Sequence, residues 1–85
     1  MHYFFIFIFS DKAYLEYKTV QGGSVVLYHT EVPSAFRGKG VAKILAKSAF
    51  DHFVTQDVKM KVTCTYLQKY LKENPNQEYT KRILP

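Results

Sequence analysis

The segment Arg37-Gly38-Lys39-Gly40-Val41-Ala42 restricts the possible folds of this chain more than any other, because one hydrophobic period gives way to another there. Val25 to Glu31 before it is rich in β-branched and aromatic residues and reads as a strand. From Gly40 to about Thr55, Val41, Ile44, Leu45, Ala49 and Phe53 recur at helical spacing, with Lys43, Lys47 and Asp51 expected on the opposite side. The order is therefore strand, glycine-rich loop, amphipathic helix. A helix start has backbone N–H groups without internal partners and carries partial positive charge, so it suits an anion. Gly38 and Gly40 keep side-chain bulk away from those donors, while Arg37 and Lys39 add charge. The same hexapeptide also fits a glycine-rich turn with a solvated basic flank. It is neither the three-glycine dinucleotide fingerprint nor a P-loop, which needs a Gly-Lys-Ser/Thr ending.

Periodicity places the remaining elements around this junction. Phe4 to Phe9 and Ala13 to Thr19 read as strands joined through Ser10-Asp11-Lys12, and Gln21-Gly22-Gly23 turns the chain into a third, Ser24 to Glu31. Pro33 lacks an N–H and ends ladder pairing. Val58 to Cys64 alternates Val58, Met60, Val62 and Cys64 with Lys59, Lys61 and Thr63, the pattern of a half-buried strand. Because a helix precedes it, it is expected to run parallel to the third strand. Thr65 to Glu73 carries Tyr66, Leu67, Tyr70 and Leu71 at helical spacing and stops before Asn74-Pro75. Asn76 to Pro85 reads as a polar tail that either docks through Tyr79, Ile83 and Leu84 or frays. The expected fold is α/β (α+β): a mixed, mostly antiparallel sheet with one long and one short helix.

Size and composition exclude several classes. Eighty-five residues make a single domain, 1–85, and seven Phe with seven Tyr give a small, aromatic core. Cys64 is the only cysteine, so no intrachain disulfide or Cys-rich metal site is expected, and an intracellular, cytoplasmic or nuclear setting is the natural one. His2, His29 and His52 lack metal-ligand spacing, and no metal is expected. Residues 1–9 are apolar, but they have no basic leader or cleavage site and are too short to span a membrane, so no membrane role is expected. As an aromatic edge strand they offer a surface for self-pairing, giving a monomer or weak dimer. A net charge of +5 suits loose contact with phosphate backbones. No interleaved aromatic-basic strand or groove-reading motif is present, so no specific nucleic acid is expected.

Arg37-x-x-Gly40-x-Ala42 resembles the Arg/Gln-x-x-Gly-x-Gly/Ala signature with which the GNAT superfamily holds the pyrophosphate of acetyl-coenzyme A. His29-Thr30-Glu31-Val32-Pro33, Cys64-Thr65-Tyr66-Leu67-Gln68-Lys69-Tyr70 and Lys72-Glu73-Asn74-Pro75 extend the likeness to the small one-domain GNAT-like acetyltransferases over roughly residues 24 to 75. That resemblance implies a minimal GNAT-like fold whose first strand is shortened or divergent in this chain. It also implies an acetyl-CoA-dependent N-acetyltransferase acting on a protein lysine or small amine, with acetyl-CoA as cosubstrate. The alternative is a non-catalytic CoA-binding or protein-interaction module. By the same resemblance, Val32 backbone groups would hold the pantetheine arm, and Arg37, Gly38, Lys39, Gly40, Val41, Ala42 and Lys43 would line the phosphate side.

Glu31 would act as general base, directly or through water, with His29 two residues earlier on the same face; the alternatives are a rim carboxylate and a structural histidine. Cys64 lies where the last strand meets a helix start, a setting that favours a thiolate, or else it is a small buried hydrophobe. Tyr66 or Tyr70 would return a proton to the departing coenzyme thiolate, the more buried of the two being expected to serve packing instead. Transfer is expected to be direct rather than through an acetylated Cys64.

Overall fold

The computed structural model describes residues 2–8, 11–33 and 40–85, with side chains from Ala13 onward. Four strands form one sheet in sequential order: β1 (His2–Ile8), β2 (Asp11–Thr19), β3 (Val25–Glu31) and β4 (Met60–Val62). The first two pairings are antiparallel and β3–β4 is parallel, so the expected mixed sheet forms. The β2–β3 turn is closed by the Gly23 N–H donating to the Val20 carbonyl at 3.1 Å. Gly22 supplies the positive φ of 97° that this reversal needs.

Two longer helices and a short one follow: α1 (Val41–Thr55), α2 (Thr65–Glu73) and α3 (Gln77–Thr80). All contribute to one core on one face of the sheet. Ala13, Leu15, Val25, Leu27 and Met60 from the strands meet Leu45, Ala46, Ala49, Phe50 and Phe53 of α1. Leu67 and Tyr70 of α2 and Tyr79 of α3 complete it. Aromatic contacts join the layers: Tyr17 lies edge-on to Phe53 at 5.0 Å, and Phe50 stacks on Tyr70 at 5.9 Å and tilts against Tyr79 at 5.2 Å. Complete burial of a side chain such as Phe50 stabilises the fold by about 1.5–3 kcal/mol.

Three details correct the reading from periodicity. Ile44 belongs to the expected apolar stripe, yet it is 54% exposed. The buried arc of α1 runs instead through Val41, Leu45, Ala46, Ala49, Phe50 and Phe53, because α2 and α3 cover the flank on which Phe50 lies. The expected strand Val58 to Cys64 shrinks to Met60–Val62. Its first residue is taken by the end of α1, where the Val58 N–H donates to the Phe53 carbonyl at 2.9 Å and the Asp57 N–H to that of Val54 at 3.0 Å. This is a Schellman closure, with Asp57 in the left-handed position at φ 55°.

The third correction concerns the tail, which docks through more than apolar contacts. Asn76 caps α3 by accepting from the Glu78 N–H at 2.9 Å. Beyond α3, the Met60 N–H donates to the Arg82 carbonyl at 2.8 Å and the Leu84 N–H to the Met60 carbonyl at 2.7 Å. These bonds extend the sheet past β4 by one parallel bridge, Met60 to Ile83. Tyr79 is buried with its hydroxyl donating to Asp51, a residue expected on the side of α1 opposite the apolar stripe. Asp51 also accepts from Lys47 at 2.7 Å.

Candidate functional site

The site begins with a fault in the β2–β3 ladder. Tyr17 pairs with Leu27, but Glu16 pairs with His29, so Tyr28 is an extra residue on β3. Cross-strand partners share a face, and the insertion therefore reverses the alternation beyond it. Val25 and Leu27 lie on the helix-covered face. Past the bulge Thr30 takes that face opposite Leu15, while His29 and Glu31 stand on the open face opposite Glu16 and Tyr14.

His29 and Glu31 share a face, as their spacing suggested, and they also pair: Nε2 lies 3.3 Å from Oε2, with both side chains about half exposed. The Tyr14 ring lies 6.1 Å from the imidazole. Tyr28, also on the open face, donates its hydroxyl to Glu16 Oε2 at 3.0 Å.

Immediately after the bulge β3 parts from β4. Parallel pairing covers only Val25–Leu27 and Met60–Val62, after which the Thr63 and Cys64 N–H groups both turn to the Leu27 carbonyl, at 3.0 and 3.3 Å. Cys64 is then the residue before α2, in extended geometry and without a side-chain cap bond. Its Sγ lies 3.6 Å from Thr30 Oγ1 across the opening, either atom being able to donate. The thiol is therefore grouped with Thr30 on the helix side, and the His29–Glu31 pair stands on the other face.

Tyr66 and Tyr70 also separate. Tyr70 is buried against Phe50, which is the packing role. Tyr66 is half-buried, and its phenol is shifted upward from its ordinary value by burial first and then by the nearby Tyr70, Glu73 and Cys64 groups. A phenol shifted that way stays protonated and available as a donor.

The fourth part is the start of α1. Gly40 precedes the helix in left-handed geometry, φ 71° and ψ 15°, with no side-chain cap and no acidic residue in the first turn. Among the described residues, no side chain caps the first-turn N–H groups, the arrangement that suits an external acceptor. A Cβ on Gly40 would meet none of the described residues within 4 Å, so the residue is needed for its backbone angle. These features suit a diphosphate. Val41 is 5% exposed, so its contribution there is restricted to its backbone. Ala42 is half-buried, and Lys43 is exposed at the same end. Lys47, further along the same row, is held by Asp51. Val32, half-buried against the core, follows β3 at the cleft mouth. Arg37, Gly38 and Lys39 lie outside the described residues.

In chain order, a strand that is bulged and parts from its parallel neighbour is followed by a glycine-led helix with no side-chain cap among the described residues. A family model described as GCN5-related N-acetyl-transferase matches residues 4–82. The chain belongs to the GCN5-related N-acetyltransferase family. Protein NATD1 of Xenopus tropicalis is 53% identical over 75 residues, which cover 88% of this chain and 69% of that protein. The Mus musculus and Homo sapiens proteins of the same name are each 52% identical over 75 residues, 88% of this chain and 68% and 66% of theirs. The chain thus spans about two thirds of the length of these relatives.

Within this GCN5-related frame, sequence reading named His29, Glu31, Cys64 and Tyr66 but passed over Thr30, Tyr28, Glu16 and Tyr14. Thr30 lay inside a quoted motif, and no periodic signal could assign it to the cysteine side without the bulge. Glu16 and Tyr14 come from a strand far from the motifs, and only register brings them to His29. Among the described residues no group of three or more His, Cys, Asp or Glu side chains is placed to hold a metal.

Proposed function

We propose that this domain catalyses acetyl-CoA-dependent N-acetylation of an amine, a protein lysine or a small amine, by direct transfer. The observation that carries the proposal is the parting of β3 from β4 beyond Leu27, with distinct chemistry on its two sides. Helices fill one face of the sheet, and the uncapped start of α1 follows the same end of β3. The diphosphate of the donor would be held by the Val41, Ala42 and Lys43 N–H groups with the Lys43 ammonium, joined by Arg37, Gly38 and Lys39, and Val32 backbone groups would hold the pantetheine arm. The acceptor would reach the opening from the uncovered face, where His29 and Glu31 stand.

In this reading Glu31 takes the proton from the amine, directly or through His29 or water. The freed nitrogen pair forms the C–N bond at the thioester carbonyl as the C–S bond breaks. Tyr66 donates its phenolic proton to the leaving thiolate, a role consistent with its upward-shifted pKa. Direct transfer is favoured because the bulge puts the proton acceptors on the face opposite the Cys64 thiol, which has Thr30 as its hydroxyl neighbour. Mass spectrometry after mixing with acetyl-CoA without acceptor is expected to show no adduct at Cys64; a stoichiometric acetyl-Cys64 would establish the covalent route instead.

Titration calorimetry with CoA and acetyl-CoA, on wild type and on Gly40→Asp, tests the donor site. The variant places bulk and negative charge at the helix start, and binding is expected to be lost. Unchanged affinity would remove the phosphate assignment. Binding without turnover across lysine peptides and polyamines would favour a non-catalytic CoA-binding module.

A further inference from the structure

Tyr28 is the inserted residue of β3, and the inserted residue is the one the ladder itself cannot hold in place. What holds it is a side-chain bond to the neighbouring strand, from its hydroxyl to Glu16 Oε2 at 3.0 Å, in half-buried surroundings. Glu16 is also the register partner of His29. One carboxylate therefore fixes the bulge and stands opposite the first residue that the bulge turns over. Shifting a strand by one residue sends each of its side chains to the other face. Without the insertion, His29 would share the face of Leu27 and point into the helix layer, while Thr30 would leave Cys64.

We propose that Tyr28 and Glu16 form a clasp that positions the His29–Glu31 pair on the acceptor face, neither residue touching the reacting atoms. The proposal rests on the acetyltransferase reading for its catalytic meaning, and its structural half stands without it. The clasp is one hydrogen bond in a place where it selects between two registers.

A double-mutant cycle tests it. Tyr28→Phe and Glu16→Ala are each expected to lower kcat roughly tenfold, the scale of one hydrogen bond, with KM for acetyl-CoA unchanged. The double variant is expected to be no slower than either single one. Glu16→Gln keeps an oxygen for the phenol to donate to and is expected to recover most of the loss seen with Glu16→Ala; failure to recover would mean that the charge matters rather than the clasp, and would overturn the proposal. Amide hydrogen exchange supplies the second arm and needs no turnover. Faster exchange at His29 and Thr30 in Tyr28→Phe, with α1 unaffected, supports the clasp; unchanged exchange overturns it. A wild-type chain that binds acetyl-CoA but transfers nothing removes the acetyltransferase reading, and the exchange arm then decides the clasp alone.

Discussion

The two faces of this sheet are built from alternate residues of the same strands, yet they do opposite work. On the helix-covered face Ala13, Leu15, Val25, Leu27 and Met60 are essentially unexposed and belong to one apolar cluster. On the open face Tyr14, Glu16, Tyr28, His29 and Glu31 keep partial contact with water and form ion pairs and hydrogen bonds. A small domain has little stability to spare, so its ionisable groups gather where desolvation is incomplete. The bulge at Tyr28 is what moves the end of β3 from the first regime to the second.

The contrast can be broken from either side. The largest effect is expected from Phe50→Ala on the covered face, a loss of about 3–5 kcal/mol measured by urea unfolding. On a chain this short that is enough to unfold much of the population at room temperature. A loss below about 1 kcal/mol would show that the core repacks around the space.

Glu31→Gln on the open face should do the reverse. It is expected to leave unfolding stability within about 0.5 kcal/mol, while lowering kcat/KM for acetyl transfer by roughly a hundredfold or more, the usual worth of a general base. A matching fall in stability would move Glu31 to the structural side of the comparison.

Tyr79→Phe probes where the covered layer is closed by a polar bond, and a loss of about 1–2 kcal/mol is expected. Its pH dependence has two limbs. For Asp51, burial is the largest influence and acts upward, but the hydrogen bonds from Lys47 and Tyr79 and the Lys47 charge outweigh it and leave the pKa lowered. A lowered carboxyl stabilises the fold above its unfolded value of about 3.9, and that contribution disappears as pH falls through the lower folded value. Tyr79 is raised, by burial first and then by Asp51, so its contribution is full below about pH 10 and declines above it. Stability profiles of wild type and Tyr79→Phe should converge at both extremes; parallel profiles would mean that Asp51 and Tyr79 are not coupled in solution.

The smallest expected effect is at Gly40, outside both faces. Gly40→Ala forces a Cβ into φ 71° and should cost about 1 kcal/mol by thermal unfolding, with no clash against the described residues to add to it. A larger loss would indicate a contact from the loop before α1.

Much of the architecture was legible because it depends on local patterns. Alternation in Ala13 to Thr19 and the helical spacing from Val41 to Phe53 locate elements whatever they pack against, and the Cys64–Tyr66 junction followed from where one period ended. Ile44 was misplaced because periodicity identifies an apolar arc but not how far neighbouring helices rotate it. Tyr79 was named as a docking residue, but α3 left no signal because four helical residues have too little intrinsic stability; packing on Phe50 and the bond to Asp51 stabilise it.

The sequence by itself determined which segments are strands and helices, that a glycine-led helix start follows β3, and which family the motifs resemble. These depend on residue spacing and on the backbone needs of glycine and proline, which act over a few residues. Only the tertiary structure decided that His29 and Glu31 face away from Cys64, that Tyr70 is buried while Tyr66 is only half-buried, and that Glu16 stands opposite His29. Each of those depends on the register between strands distant in sequence, and one inserted residue, Tyr28, reverses the facing of everything beyond it.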